Sequence, residues 1–561
     1  MKKTITKLIS VFLLLTLWMS SGCRDDYEEP PEVVSSDEYV DLRPRQTPIR
    51  WQGSRTTCIV FAGVAALEAS YKRFGYGDLD LSEEFINFSR KSFYLHPIWQ
   101  DHLDKGVTAR ETQLGSTGGG GGVGVVAELG KAYKLPLENV MPYVDVNNYY
   151  ESNFPALVQA IDKGSDATQK DYSDFNLDPR ILTSNILKAE KWYSVGSYKE
   201  LADAKDTDEI EKILKAGNEV VWDFAGANPY ESIDENNIWQ ACSDCSIIGH
   251  SMLIVGFDKR DPDPAKHHFI VKNSWGTDNL TGTDMDGFTT ISYDYVENYG
   301  VGAAYILWPT APEAWPEIPF VGRWKTNLDG WKGTLDIYHL PGMSDYTFEF
   351  NFLRNVIPEQ YEDYRIGTYY DTDGNPFRVN GSVSGNKLEF YIDSDEPLVR
   401  WDVIRGTPHV FYMDDYDYMS GFYELENGEE YAGYAVKGSY LNGGPQTPRP
   451  FSAQSYYPSM WQLDCNGKKG VLTFTKQAGN NNEFLLLDGT FLKNGSTNAV
   501  AAQLKMYYND PSKVYVQIID FDGEPESFIG RHLSWEGGLI TGHTPETVDI
   551  RPFSMTRIES N

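Results

Sequence analysis

Three residues of the chain have the types and settings needed for nucleophilic acyl transfer. Cys58 ends the loop Trp51-Gln52-Gly53-Ser54-Arg55-Thr56-Thr57. It opens a run in which Phe61, Val64, Ala65, Leu67 and Ala69 recur at helical spacing, continuing through Tyr71 and Phe74 to a stop at Gly75. In the first turn of such a helix, unpaired N–H groups and the helix dipole favour a thiolate, the form of cysteine that attacks. A thiol so placed still needs a base. His250, in Gly249-His250-Ser251-Met252-Leu253-Ile254-Val255-Gly256, offers one, and Asn273, in Phe269-Ile270-Val271-Lys272-Asn273-Ser274-Trp275-Gly276, offers a third partner.

Stepping outward, both segments read as short apolar strands joined by a polar loop at 258–267. Paired as an antiparallel hairpin with 257 opposite 268, they put 252 opposite 273. His250 and Asn273 then share a face as diagonal neighbours, about 7–8 Å apart at Cα. An asparagine there would fix the tautomer and orientation of the imidazole.

In these residues the chain resembles the papain-like cysteine peptidases. Gln52 stands six positions before Cys58, as in the opening of that family's active-site helix. Asp41-Leu42-Arg43, Leu81-Ser82-Glu83-Glu84, Met141-Pro142-Tyr143, Gly287-Phe288 and Tyr299-Gly300-Val301 resemble further family markers, in the same order. The resemblance covers roughly 40–309. It implies Cys58 as nucleophile, His250 as general base and then acid, and Asn273 as orienter. It further implies the Gln52 amide and the Cys58 N–H as oxyanion hole, with Trp275 covering the His–Asn hydrogen bond. The glycine pair that binds the substrate backbone falls at Gly120 and Gly121, within a run from Gly118 to Gly122 that reads either as a flexible loop or as a ribbon pairing with an extended peptide. Family members usually have Cys-Gly-Ser before the nucleophile and Trp after it; here stand Arg55-Thr56-Thr57 and Ile59. The nearby disulfide of the family is therefore not expected. Extra length is assigned to about 85–117 and 145–205.

The 561 residues carry a formal net charge of −32. That disfavours nucleic acid and anionic membrane surfaces as partners; it suits solubility, and it reads first as the acidity of an exported protein and second as a match to basic substrates. Lys2, Lys3 and Lys7, the apolar run Leu8 to Met19 and then Ser20-Ser21-Gly22-Cys23 read as a targeting segment, too short for a permanent span. The small residues before Cys23 resemble a bacterial lipoprotein site, with ordinary secretory cleavage as the alternative. Lipid on Cys23 would be the anchor. The acidic tract Arg24 to Glu29 resembles an outer-membrane surface-export signal, with the periplasmic face as the other placement. Cys242 and Cys245 read as a structural disulfide, with free thiols or a metal or redox pair as alternatives. No catalytic metal or cofactor is expected.

The Pro-rich stretch at 310–319 marks a boundary. Beyond it, short strands rich in Tyr, Phe, Val and Leu are punctuated by Asp-Gly and Asn-Gly turns. A weak repeat relates Trp324 and Gly333-Thr334-Leu335 to Trp461 and Gly470-Val471-Leu472, and Gly367-Thr368-Tyr369 to Gly489-Thr490-Phe491. It predicts two tandem antiparallel modules resembling small up-and-down barrels. Asp371-Thr372-Asp373-Gly374-Asn375 reads as a hairpin turn rather than a calcium loop. Trp331, Trp401 and Trp535 are candidates for a ligand platform or for core.

The expected organisation is a signal peptide (1–22), an acidic tether (23–40), an α+β papain-like peptidase domain (41–309), a linker (310–319) and all-β modules at 320–445 and 455–558. The expected activity is that of a cell-envelope cysteine peptidase, endopeptidase action favoured, working on peptide or protein substrates. The alternatives are an amidase or transpeptidase using the same triad, or a surface protein whose β modules take a glycan or small ligand.

Overall fold

A computed structural model of the protein describes residues 33–92, 121–131, 133–145, 152–153, 169–277, 287–315, 318–338, 365–392, 407–414, 416–425, 427–441, 458–521, 523–533, 536–545 and 550–558. The apolar run after Thr57 forms helix α1 (Cys58–Arg73), and the chain turns through Gly75 at φ +81°. Val60 to Val64 and Ala66 to Tyr71 are all buried, because α1 is apolar nearly all round and runs through the interior. Helices α2 (Glu83–Ser92) and α3 (Gly121–Lys131) pack beside it. Gly63 makes the α1–α3 contact close, since a Cβ there would lie 2.6 Å from Val125 Cγ1. The one acid inside α1, Glu68, accepts from Thr47 Oγ1 at 2.6 Å and Leu81 N–H at 2.8 Å.

Against the helices lies a nine-stranded sheet. Its main path is β3 (Val195–Glu200), β9 (Gly300–Pro309), β4 (Val220–Ala227), β6 (Ile247–Asp258), β7 (His268–Lys272), β8 (Phe288–Ser292) and β5 (Ile238–Trp239), with β2 (Tyr39–Asp41) also on β6 and β1 (Val34–Ser35) on β2. The β6–β7 hairpin departs from the register expected from sequence. Asp258, not 257, lies opposite His268. A bulge between Ile254 and Gly256 absorbs the extra residue, so that Leu253 pairs with Lys272 as in the expected register. Gly256 pairs with Asp41 of β2, and a Cβ there would strike the Val40 carbonyl.

Two closed, eight-stranded antiparallel barrels follow, so the chain is an α+β domain with two all-β modules. The first runs from β10 (Gly322–Leu328) to β17 (Glu430–Val436), the second from β18 (Ser459–Cys465) to β25 (Pro552–Ile558). Sequence-adjacent strands pair throughout and closure removes the sheet edges. The repeat has a physical basis. Trp324 and Trp461 are fully buried at matching places on each first strand. A Cβ at Gly333 would collide with the Tyr369 ring, and one at Gly470 with the Phe491 ring. At the described positions the interiors are filled by side chains, among them Leu335, Tyr369, Phe390 and Phe411 in the first and Leu472, Leu487, Phe491 and Val516 in the second. Trp331 lies half-buried on Tyr369, ring centroids 4.5 Å apart, while Trp401 and Trp535 are outside the described residues. The Asp371 loop is a hairpin turn, its carboxylate accepting the N–H groups of Asp373 and Asn375.

The barrels share a seam in which Tyr418, Ala432 and Tyr434 meet Leu533 and Leu539, and Tyr418 Oη donates to the Phe553 carbonyl at 3.0 Å. The first barrel is tied to helix α4 (Gln169–Asn176): Ser173 Oγ donates to Asp336 Oδ2 at 2.6 Å, and Arg323 bridges Asp336 and Asp174.

Candidate active site

Cys58 is the first residue of α1 and is one of two free cysteines among the described residues. Its neighbour Thr57 does not cap the helix; the Thr57 hydroxyl instead meets Tyr143 Oη at 2.6 Å, and Tyr143 Oη donates to the Gln52 carbonyl at 2.9 Å. Arg55 forks onto Glu84 (2.5 and 3.4 Å) and donates to the Val144 carbonyl at 2.6 Å. The loop before the thiol is thereby pinned from two sides. Burial raises the Cys58 thiol above its ordinary value; the Ser251 and Ile59 N–H groups pull the other way, and the Asp223 carboxylate adds to the rise. The helix terminus therefore does not by itself yield the acidified thiol expected from sequence, because desolvation outweighs it.

The Ser251 N–H is among the groups that lower the thiol, so Cys58 lies near the residue following His250. His250 is buried, and its Nε2 lies 2.9 Å from Asn273 Oδ1. That oxygen also accepts the Ser274 N–H at 2.8 Å. An atom accepting from a backbone N–H is the amide oxygen, so Nε2 carries the imidazole proton and Nδ1 is the acceptor. Burial drives the imidazole down to about 4, against the pull of the Asn273 hydrogen bond, so the ring rests neutral at pH 7. Trp275 stacks on it at 4.7 Å and 24°, Phe224 meets it edge-on at 5.9 Å, and Tyr230 extends the stack beyond Trp275.

Gln52 is buried beside Asn273. Its N–H donates to the Ser274 carbonyl at 2.9 Å, its Oε1 accepts from Ser274 Oγ at 2.6 Å, and its Nε2 donates to the Arg55 carbonyl at 2.8 Å. An amide nitrogen has two donors, so one remains for a ligand.

Gly121 begins α3 at φ +51°, so Gly121 and Gly122 open a helix and do not form the extended ribbon offered as one reading of the glycine run. Gly120 lies outside the described residues, as does Cys23. Cys242 and Cys245 form a disulfide ahead of β6, with Cα atoms 5.6 Å apart, and the Tyr299 hydroxyl bonds both backbone groups of Cys242. Among the described residues no three His, Cys, Asp or Glu side chains converge as a metal site.

The sequence reading missed Asp223. A lone acid in Val220-Val221-Trp222-Asp223-Phe224, within a strand otherwise apolar, was the available signal.

A helix bearing a thiol at its tip thus lies against a sheet that carries His250, with Asn273 just past the end of β7. Residues 141–307, which include His250 and Asn273 and begin after Cys58, match the family described as "Papain family cysteine protease". The match supports a cysteine peptidase. Among solved structures the chain is similar to one from work on antibody cross-reactivity between the mite allergens Blo t 1 and Der p 1, at 16% identity and a TM-score of 0.30, over 51% of this chain and 76% of that one. No curated protein matches the sequence.

Proposed function

We propose that the chain is a cell-envelope cysteine peptidase that hydrolyses peptide bonds with Cys58, His250, Asn273 and Gln52. The observation that carries the reading is the His250 Nε2–Asn273 Oδ1 contact of 2.9 Å, which leaves Nδ1 as a proton acceptor on a ring that is neutral at pH 7. In this reading His250 Nδ1 takes the Cys58 proton as sulfur attacks the peptide carbonyl carbon, forming the C–S bond. The oxyanion is met by the remaining Gln52 N–H and the Cys58 N–H. Collapse breaks the C–N bond, the amine leaves with the proton from His250, and water, deprotonated by His250, cleaves the thioester. Asn273 holds the ring, and Trp275 shields the His–Asn bond from water.

Export and lipid attachment at Cys23, with outer-membrane placement, rest on the N-terminal sequence. The substrate class is peptide or protein. The test is incubation of the purified protein with a mixed peptide library: internal cleavage, abolished by Cys58→Ala, supports an endopeptidase. Ligation or side-chain amide release instead would assign the same residues to transpeptidase or amidase chemistry.

A further inference from the structure

Asp223 lies opposite Ser251 across the β4–β6 pairing, and both Ser251, through its N–H, and Asp223, through its carboxylate, act on the Cys58 thiol. Its Oδ1 accepts from Ser251 Oγ at 2.5 Å and from Gly122 N–H at 2.8 Å, and its Oδ2 accepts from Val123 N–H at 3.2 Å. All three donors are neutral. Three buried carboxylates of this chain hold a cation, Glu84 with Arg55, Glu219 with Arg73 and Asp336 with Arg323, whereas Glu68, like Asp223, accepts from neutral donors. Asp223 is only 7% exposed, yet among the described residues no cation stands against it. A buried carboxylate without a counter-charge is costly, and that cost falls when a cation arrives.

One acceptor position is left for it. A carboxylate offers about four lone-pair positions, and three are taken. The fourth, on Oδ2, faces Gly121 and Gly302: a Cβ on Gly121 would collide with Oδ2, and one on Gly302 would lie 3.3 Å from it. Glycine at both places keeps the side chains of those two residues off that oxygen. The side of the cleft follows from the strand alternation. Phe224 and His250, each one residue along, put their rings on the other face, towards Trp275. The departing amine takes its proton from His250 and so lies on the Trp275 side, which leaves the acyl half of the substrate on the side of Asp223.

Resting on the proposed peptidase function, we infer that Asp223 is a specificity-determining residue, selecting a Lys or Arg side chain within the two residues before the cleaved bond by offering the open position on Oδ2 to its cation. The net charge of −32 favours the approach of such substrates.

The experiment uses the full chain and fluorogenic peptides that differ at one of those two positions, pairing Lys with norleucine and Arg with citrulline. The wild-type protein is expected to give a kcat/KM at least roughly 10-fold higher for the cationic member at one of the positions. Asp223→Asn, nearly isosteric, is expected to bring that ratio close to one. Equal cleavage of neutral and cationic members by the wild type overturns the inference without any variant and leaves the peptidase function standing; so does a ratio that Asp223→Asn does not change. A protein that cleaves none of the peptides overturns the peptidase function and this inference with it.

Discussion

Ser274 Oγ donates to Gln52 Oε1 at 2.6 Å, so the residue after Asn273 orients the Gln52 amide. Two halves of the proposed site, one from the loop before α1 and one from the end of β7, are fixed to each other by this bond and by the Gln52 N–H to Ser274 carbonyl bond. Removing the amide by Gln52→Ala is expected to lower kcat about 10²–10³-fold with little change in KM, since the donor acts on charge that exists only in the transition state. Ser274→Ala, which keeps the donor and loosens it, is expected to cost less. Steady-state kinetics of both variants check the order; equal losses would place Ser274 in a different role.

Activity should be insensitive to acid until an unusually low pH. The folded value of His250 lies near 4, below the ordinary imidazole value, because the ring is buried. The free base that accepts the thiol proton is therefore the main form through the neutral range and is lost as pH falls through about 4. A kcat/KM profile from pH 3 to 8, with circular dichroism to confirm the fold, is expected to stay level from 7 to 5 and to halve near 4. A midpoint near 6.5 would show a solvated histidine instead.

The Arg55–Glu84 pair, with side chains 1% and 2% exposed, holds the loop before Cys58. Arg55→Met leaves Glu84 buried without its partner and is expected to destabilise the peptidase domain by about 3–5 kcal/mol. Thermal unfolding followed by tryptophan fluorescence measures the shift. The double change Arg55→Met with Glu84→Met removes both charges and is expected to recover much of the loss.

In the second barrel, Gly470→Ala sets a methyl against the Phe491 ring and is expected to cost about 1–3 kcal/mol. Gly495→Ala, where a Cβ meets nothing within 4 Å but φ is +77°, is expected to cost less, through the backbone alone. Urea unfolding of the two variants reads the difference.

Much of this architecture could be read from residue order because it rests on periodicity. The apolar face of 58–73 repeats at helical spacing, and the two barrels share a Trp-and-Gly pattern whose physical cause is a ring lying over a glycine in each. What the sequence hid depends on contacts between distant segments. The bulge between Ile254 and Gly256 lies where the pairing of β2 with β6 ends, which no local pattern announces. The glycine run was open to reading as a peptide-binding ribbon, whereas the N–H groups of Gly122 and Val123 are spent on Asp223, about a hundred residues away. Arg55 looked like a simple departure from a family pattern until Glu84 supplied its partner. The Cys58 thiol was expected to be acidified by its helix, and only three-dimensional burial reverses the direction.

The central claim is that Cys58 carries the acyl group and depends on His250 to do so. It is tested most directly by mixing the protein with a slowly deacylated peptide ester, quenching in acid and mapping the added mass by fragmentation. The account predicts the acyl mass on Cys58 in the wild type and its absence in both Cys58→Ala and His250→Ala. An acyl group on another residue, or hydrolysis that continues in Cys58→Ala, would contradict it.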